Sequence, residues 1–516
     1  MIKKVILLAI IIIIILVNII LSQDKPKPMT LEECLILAME KNLGLQVQVL
    51  QPERAGLSVS LAAEKFLPSL SFQYDSQNVN APSFSWIDAA DAVLTKYSEY
   101  TAALVQAIPT GGQIRASLGG SRSDTNRNFQ TINPRYGSQL SFSFAQPLLK
   151  DFGFKISRKE IIAAQNNKDI AENGYRMAVL DTLYTVEEAY WNLVFNSENL
   201  KVKRQSLKLA RGLLERNKKE LEIGMMAPID ILSAQADVAT READILQAEV
   251  QEKNSEDTLR TLLNLKDKEG SRYSPIVPAD APSPEKREVS MESALAQAMA
   301  NRPELQSAKL DMKNKELDLT YSRNQLLPDL IFRADYWSPG ISGTQILYAE
   351  DNPLTGIIIG QIPGQSRDAL KDALKFKYKN WAVGLTFSLP LNTVFSRALA
   401  AQARVNVEEA AIRLAEKEQQ VFLEVRNAAR EVETNAKRVE AYAAARTLAE
   451  KTLEAEERKA KAGLSTNYLV LLNQRDLANA QTNELRARID YVLSLARLDK
   501  ATGTSLEKRN IKLVSK

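Results

Sequence analysis

The chain of 516 residues carries 67 basic and 63 acidic side chains, a small and dispersed excess that excludes a nucleic-acid footprint. It has no histidine and a single cysteine, Cys34. The commonest general base and transition-metal ligand are therefore missing, and no internal disulfide or CxxC metal or redox site can form.

At the N-terminus Lys3 and Lys4 precede an apolar run from Val5 to Leu21, then Ser22-Gln23-Asp24, which reads as an export signal over residues 1–22. The run is longer than a usual signal core, and Ile20 stands where a small residue is expected, so the alternative is a retained inner-membrane anchor. Two glutamates before the cysteine in Leu31-Glu32-Glu33-Cys34 argue against lipidation, and Cys34 reads as a small buried residue on a helix. No later stretch has the apolar length of a spanning helix. A mature chain that crosses a membrane must then do so with strands closed into a barrel.

Met29 to Leu50 reads as a short amphipathic helical region, opened by a capping box at Thr30-Leu31-Glu32-Glu33. The same pattern returns 260 residues later. Thr30, Leu31, Glu32, Leu35, Ala38, Met39, Leu45, Gln46 and Leu50 correspond to Ser290, Met291, Glu292, Leu295, Ala298, Met299, Leu305, Gln306 and Leu310. Without a gap, Leu67-Pro68-Ser69-Leu70-Ser71-Phe72 falls on Leu327-Pro328-Asp329-Leu330-Ile331-Phe332, which marks an internal duplication.

After each Leu-Pro the period changes to two. Leu70, Phe72 and Tyr74 alternate with Ser71, Gln73 and Asp75, and Leu330, Phe332, Ala334 and Tyr336 with Ile331, Arg333 and Asp335. Return strands follow, with Leu140, Phe142 and Phe144 on one face of the first, and Trp381, Val383, Leu385, Phe387 and Leu389 on one face of the second. One apolar and one small or polar face suit a barrel with lipid outside and water inside, or a half-buried strand in a soluble sheet. Asn126 to Pro134 and the Gly/Pro-rich Ser338 to Lys375 read as surface loops. Thr101 to Ile108 and Gln113 to Leu118, joined by Pro109-Thr110-Gly111-Gly112, read as an extra hairpin whose membership of a barrel is open.

Each return strand ends at a proline, Pro147 or Pro390, and hands over to a long helix. Ser157 to Ile223 lacks proline and carries a heptad ladder of Val179, Val186, Leu193, Leu200, Leu207, Leu214 and Leu221. At about 1.5 Å per residue it is roughly 100 Å long. Ser396 to Ala462, free of glycine and proline, carries Val425, Val432, Val439 and Leu453 at heptad spacing, interrupted by Arg446. Each rod stops at a glycine, Gly224 or Gly463, where a returning helix begins; these run to about Leu265 and Thr502. The sequence thus divides into a first repeat at 29–265, a Pro-rich linker at 266–288, a second repeat at 289–503 and a tail at 504–516.

The duplicated unit of short helix, Leu-Pro, strand, loop, strand, long helix, glycine turn and returning helix resembles the TolC-type outer-membrane efflux proteins, from Thr30 to Thr502. The resemblance implies a mixed α and β membrane protein built as a homotrimer. Long antiparallel coiled coils would form a periplasmic helical barrel. Four or more strands per chain would form an outer-membrane β-barrel, twelve-stranded at four per chain. By position it makes Ile223, Gly224, Met225, Met226 and Ala227, with Ala462, Gly463, Leu464, Ser465 and Thr466, the entrance tips that meet a periplasmic adaptor.

Acidic residues at the entrance of some relatives fall on Asp230, a candidate gate acid, whereas the second repeat has Leu469 and Leu472. The partners implied are two further copies, outer-membrane lipid, the adaptor and an inner-membrane pump that supplies the energy. The expected role is passive conduction from periplasm across the outer membrane, with no catalysis, cofactor, metal or nucleic acid. The competing reading is a periplasmic coiled-coil adaptor or envelope-spanning scaffold without a pore. It accounts for the rods but not for the duplicated strand pairs.

Overall fold

The computed structural model describes residues 28–83, 91–223, 228–265, 275–282, 287–392 and 394–511. The export signal read over residues 1–22 lies outside them. The first half of the chain forms α1 (Leu31–Lys41), α2 (Leu43–Glu64), β1 (Ser69–Pro82), β2 (Ala92–Ala107), β3 (Gln113–Thr125), β4 (Ile132–Pro147), α3 (Lys159–Glu222) and α4 (Pro228–Leu262). The second forms α5 (Met291–Asn301), α6 (Pro303–Asn324), β5 (Asp329–Tyr348), β6 (Ile358–Ile362), α7 (Ser366–Leu374), β7 (Asn380–Ser388), α8 (Val394–Lys461) and α9 (Asn467–Ala501). The 260-residue offset holds for the starts of α1 and α5, α2 and α6, and β1 and β5; α1 and α5 each have 11 residues, and α2 and α6 each have 22. α4 and α9 match at 35 residues each.

Local chemistry sets the helix starts. The backbone N–H of Glu33 donates to the Thr30 hydroxyl at 3.2 Å, and the N–H of Thr30 to the Glu33 carboxylate at 3.1 Å, completing the capping box. The single helical region expected over Met29 to Leu50 is two helices, because Asn42 turns extended and its side chain accepts the N–H of Leu45 at 3.0 Å as a fresh cap. In the second repeat Arg302 is likewise extended and Pro303 opens α6.

The chain divides into two compact units that cut across the two repeats. The helical unit comprises the described residues within 1–52, 170–308 and 413–516. Its core follows the heptads: Val179, Val186, Leu193, Leu200, Leu207 and Leu214 are all buried, as are Val425, Val432 and Leu453. At roughly 1.5–3 kcal/mol for each fully buried side chain, these ladders outweigh any single cap, worth about 1 kcal/mol. α1 packs Cys34, Leu35 and Ala38 against Val186, Tyr190, Leu259 and Ile489, and α5 packs Ala294 and Ala298 among Val421, Val425 and Leu498.

Arg446, the break in the second ladder, has a buried partner: its guanidinium donates to Glu484 at 3.2 Å. The linker composition of 266–288 also misleads in part, because its described stretch 275–282 is docked. Val277–Pro278 pairs in parallel with Pro28–Met29, Ile276 is buried, and Asp280 accepts the Tyr190 hydroxyl at 2.8 Å and the Leu31 N–H at 2.7 Å. In the tail, Arg509 pairs with the buried Glu187, whose carboxyl burial pushes above its ordinary value while Arg509 pulls it back.

The second unit, Glu53–Asp169 with Lys309–Ile412, holds an antiparallel sheet in the order β1-β2-β3-β4-β5, with β6 and β7 both on the far side of β5. The loop expected over Ser338 to Lys375 is only partly a loop. Despite Pro339 and Gly340, β5 continues to Tyr348, because β4 runs alongside and pairs with it as far as Gln345. α7 then lies on the sheet, so close that a Cβ at Gly340 would stand 1.9 Å from the Ala369 carbonyl oxygen. No helix among the described residues is long and apolar enough to cross a membrane.

Candidate functional site

Two regions could act on another molecule: the ends of the helical hairpins and the faces of the sheet. At the first hairpin α3 ends at Glu222 and Ile223 stands exposed. Gly224, Met225, Met226 and Ala227 lie outside the described residues, as does the side chain of Asp230.

The second hairpin is described throughout. Gly463 adopts φ 74°, its N–H donates to the Ala460 carbonyl at 3.1 Å, and the N–H of Leu464 reaches back to Lys459 at 2.9 Å. That pair of bonds is the Schellman stop, which needs a left-handed residue and hence glycine. Thr466 then caps α9, accepting the N–H of Leu469 at 3.4 Å, while Ser465 bonds Glu456 on the outgoing helix. Ala462, Gly463, Leu464 and Thr466 are exposed and Ser465 is half-buried.

Sequence reading named Ile223 and Leu464 here but missed Ile229, Leu232 and Tyr468, which open the returning helices. Ile223, Ile229, Leu232, Leu464 and Tyr468 are between 60 % and 79 % exposed. The signal for the three missed residues was an apolar side chain in the opening turns of the helix that follows each glycine. Directly behind them the four helices share a core of Leu207, Leu213, Ala234, Val238, Leu453, Val470 and Leu471, so the apolar ends stand on a packed base. Large apolar side chains left exposed at helix ends suit contact with another protein surface.

In the sheet, residues directly opposite one another on neighbouring strands share a face. One row runs Leu70, Leu104, Ala116, Phe142, Tyr336, Trp381, and the next on the same face Phe72, Ala102, Leu118, Leu140. The opposite face carries Ser71, Ala103, Ser117 and Ser141, with Trp337 and Asn380 beyond them, and Gln73, Thr101, Gly119 and Gln139. From Leu330 to Tyr336 the apolar band is about 20 Å along the strand, close to the height that an outer-membrane barrel presents to lipid. Among the described residues, no group of three or more Cys, Asp or Glu side chains is placed to hold a metal ion.

A family model described as outer membrane efflux protein matches residues 98–265 and 294–504. The chain is 24 % identical over 387 residues to the outer membrane protein TolC of Vibrio cholerae, covering 74 % of this chain and 80 % of that protein. It is 25 % identical over 393 residues to the alkaline protease secretion protein AprF of Pseudomonas aeruginosa, covering 74 % and 72 %. Among solved structures, the Campylobacter jejuni CmeC outer membrane channel superposes with a TM-score of 0.65 at 15 % identity, over 92 % of this chain and 85 % of that one.

Proposed function

Because the chain belongs to the outer membrane efflux protein family, we infer that three copies of it form an exit duct whose helical hairpin ends, at Ile223 to Ala227 and Ala462 to Thr466, receive a periplasmic adaptor. Family members form trimeric channels that work with adaptor and pump components. The chain is an outer-membrane channel of tripartite efflux or secretion, reaching into the periplasm, and not an enzyme. The observation that carries the reading is the two-faced sheet, apolar on one side and small or polar on the other. A scaffold without a pore has no use for it.

The assignment of the tips rests on the exposed apolar side chains Ile223 and Ile229 at one hairpin end and Leu464 and Tyr468 at the other. An adaptor opens the entrance only if it holds the open arrangement more tightly than the closed one. Asp230 remains the candidate gate acid, and the unmatched Leu469 makes the entrance asymmetric between repeats. The internal duplication, with repeats at 29–265 and 289–503, is part of the same reading, and its use is to supply two hairpin ends per chain.

The test replaces Gly463 by Leu and Leu464 by Asp in the full chain and measures trimer assembly, adaptor capture and export together. Trimers should form as before while adaptor capture weakens at least tenfold, about 1.4 kcal/mol. Intact capture and export in that variant would remove the tip assignment without touching the channel.

A further inference from the structure

We propose that the extra hairpin β2–β3 is part of the membrane wall, so that each copy supplies six strand positions and three copies close an eighteen-stranded barrel. The inference rests on the trimeric reading above and changes the size of the duct that it describes. A barrel of four strands per copy has twelve.

The pairing register is the first support. β2 pairs with β1 from Ala92 to Val105 and with β3 from Thr95 to Ala107, and β3 pairs with β4 from Gln113 to Ser123. The hairpin therefore lies between the two strands that a four-strand copy would join directly. It is bonded along nearly its whole length on both sides.

Facial alternation is the second. Tyr100, Ala102 and Leu104 on β2, and Ile114, Ala116 and Leu118 on β3, fall in register with Leu70, Phe72 and Tyr74 on β1 and with Leu140, Phe142 and Phe144 on β4. Thr101, Ala103, Ser117 and Gly119 continue the small and polar face. A hairpin serving as a surface flap has no need of an apolar band at the same height as its neighbours'. The two strands are also fitted to each other: a Cβ at Gly120 would come within 2.3 Å of the Tyr100 ring, which covers the glycine.

The free edges are the third. β1 and β7 close the path of the sheet among the described residues, with β6 continuing the position of β7 along β5. Side chains on these edges stand wide open, Phe72 at 74 % and Leu385 at 67 %, whereas Phe142 in the interior is 42 % exposed. A long apolar edge is an aggregation hazard unless another strand covers it. The occupant that fits is a second copy of this chain. With every neighbour pairing antiparallel and an even number of positions, β1 of one copy runs opposite to β7 of the next, and the alternation of directions closes without a break.

Barrel diameter grows roughly in proportion to strand number, so the lumen should be about 1.5 times as wide as that of a twelve-stranded barrel. Sixteen to eighteen strands leave an aqueous channel. The deciding experiment images the full-length protein in lipid nanodiscs by electron cryo-microscopy and counts strands. A three-fold particle with eighteen strands is expected. A three-fold particle with twelve, the hairpin lying off the wall, overturns this proposal alone, and the absence of three-fold particles overturns the trimeric reading.

A second measurement, in native membranes, uses disulfide trapping on a Cys34→Ser background. Ser71→Cys with Ala103→Cys, directly opposed on β1 and β2, should cross-link. Cross-linking of Ser71→Cys with Ser141→Cys on β4 in its place would mean that the hairpin is excluded from the wall.

Discussion

Cys34 is fully buried on α1, beside Glu33 and Asp280, and burial holds its thiol up to about 12. Thiolate is the reactive form, so only about one thiol in ten thousand is ionised at pH 8. The folded protein should resist a thiol reagent at pH 8 and be labelled stoichiometrically once guanidinium unfolds it. Fast labelling of the native protein would mean that α1 is not seated. The residue's role was legible in the sequence, since two glutamates before it speak against a lipid anchor. Its closeness to Asp280 was not, because that contact depends on how a proline-rich segment folds back.

Among the helices, the heptads told where the cores lie and not where charge enters them. Arg241 on α4 is 6 % exposed; it donates to the Ser206 hydroxyl at 2.7 Å and pairs with Asp237 at 2.7 Å. It also reaches the Leu471 carbonyl at 3.3 Å, so one guanidinium ties α3, α4 and α9. Removing one member of a buried pair strands the other. Arg241→Ala should therefore cost about 3 kcal/mol in chemical denaturation, and Arg241→Met with Asp237→Leu should recover at least half of that loss. Equal losses in both variants would show that packing, not the ion pair, carries the cost. Arg446 and Glu484 are the matching device on α8 and α9. Nothing in local spacing distinguishes Arg446 from an arginine on a solvated face, because its partner Glu484 comes from another helix, and the i,i+4 spacing of Asp237 and Arg241 is equally common on solvated faces.

For the whole channel, the sheet's two faces make a prediction about access from outside the cell. On a Cys34→Ser background, Ser117→Cys faces the proposed lumen and Leu118→Cys the lipid. A membrane-impermeant thiol reagent should label the first at least tenfold faster than the second. Equal rates at the two positions would place the sheet outside the bilayer. The contrast concerns neighbours on one strand, so a general loosening of the protein would raise both rates and not their ratio.

Period, proline and glycine were enough to determine the long helices, the reversal at Gly463 and the alternating strands, because each is a short-range property of the backbone and its side-chain spacing. Tertiary structure alone decided that β5 runs through Pro339 and Gly340, that 275–282 is docked, and that β2–β3 lies inside the sheet. Each of these depends on a partner strand or helix distant in the chain. Strand pairing can hold extended a segment that its own composition would turn, and no local pattern records which edge a hairpin will join.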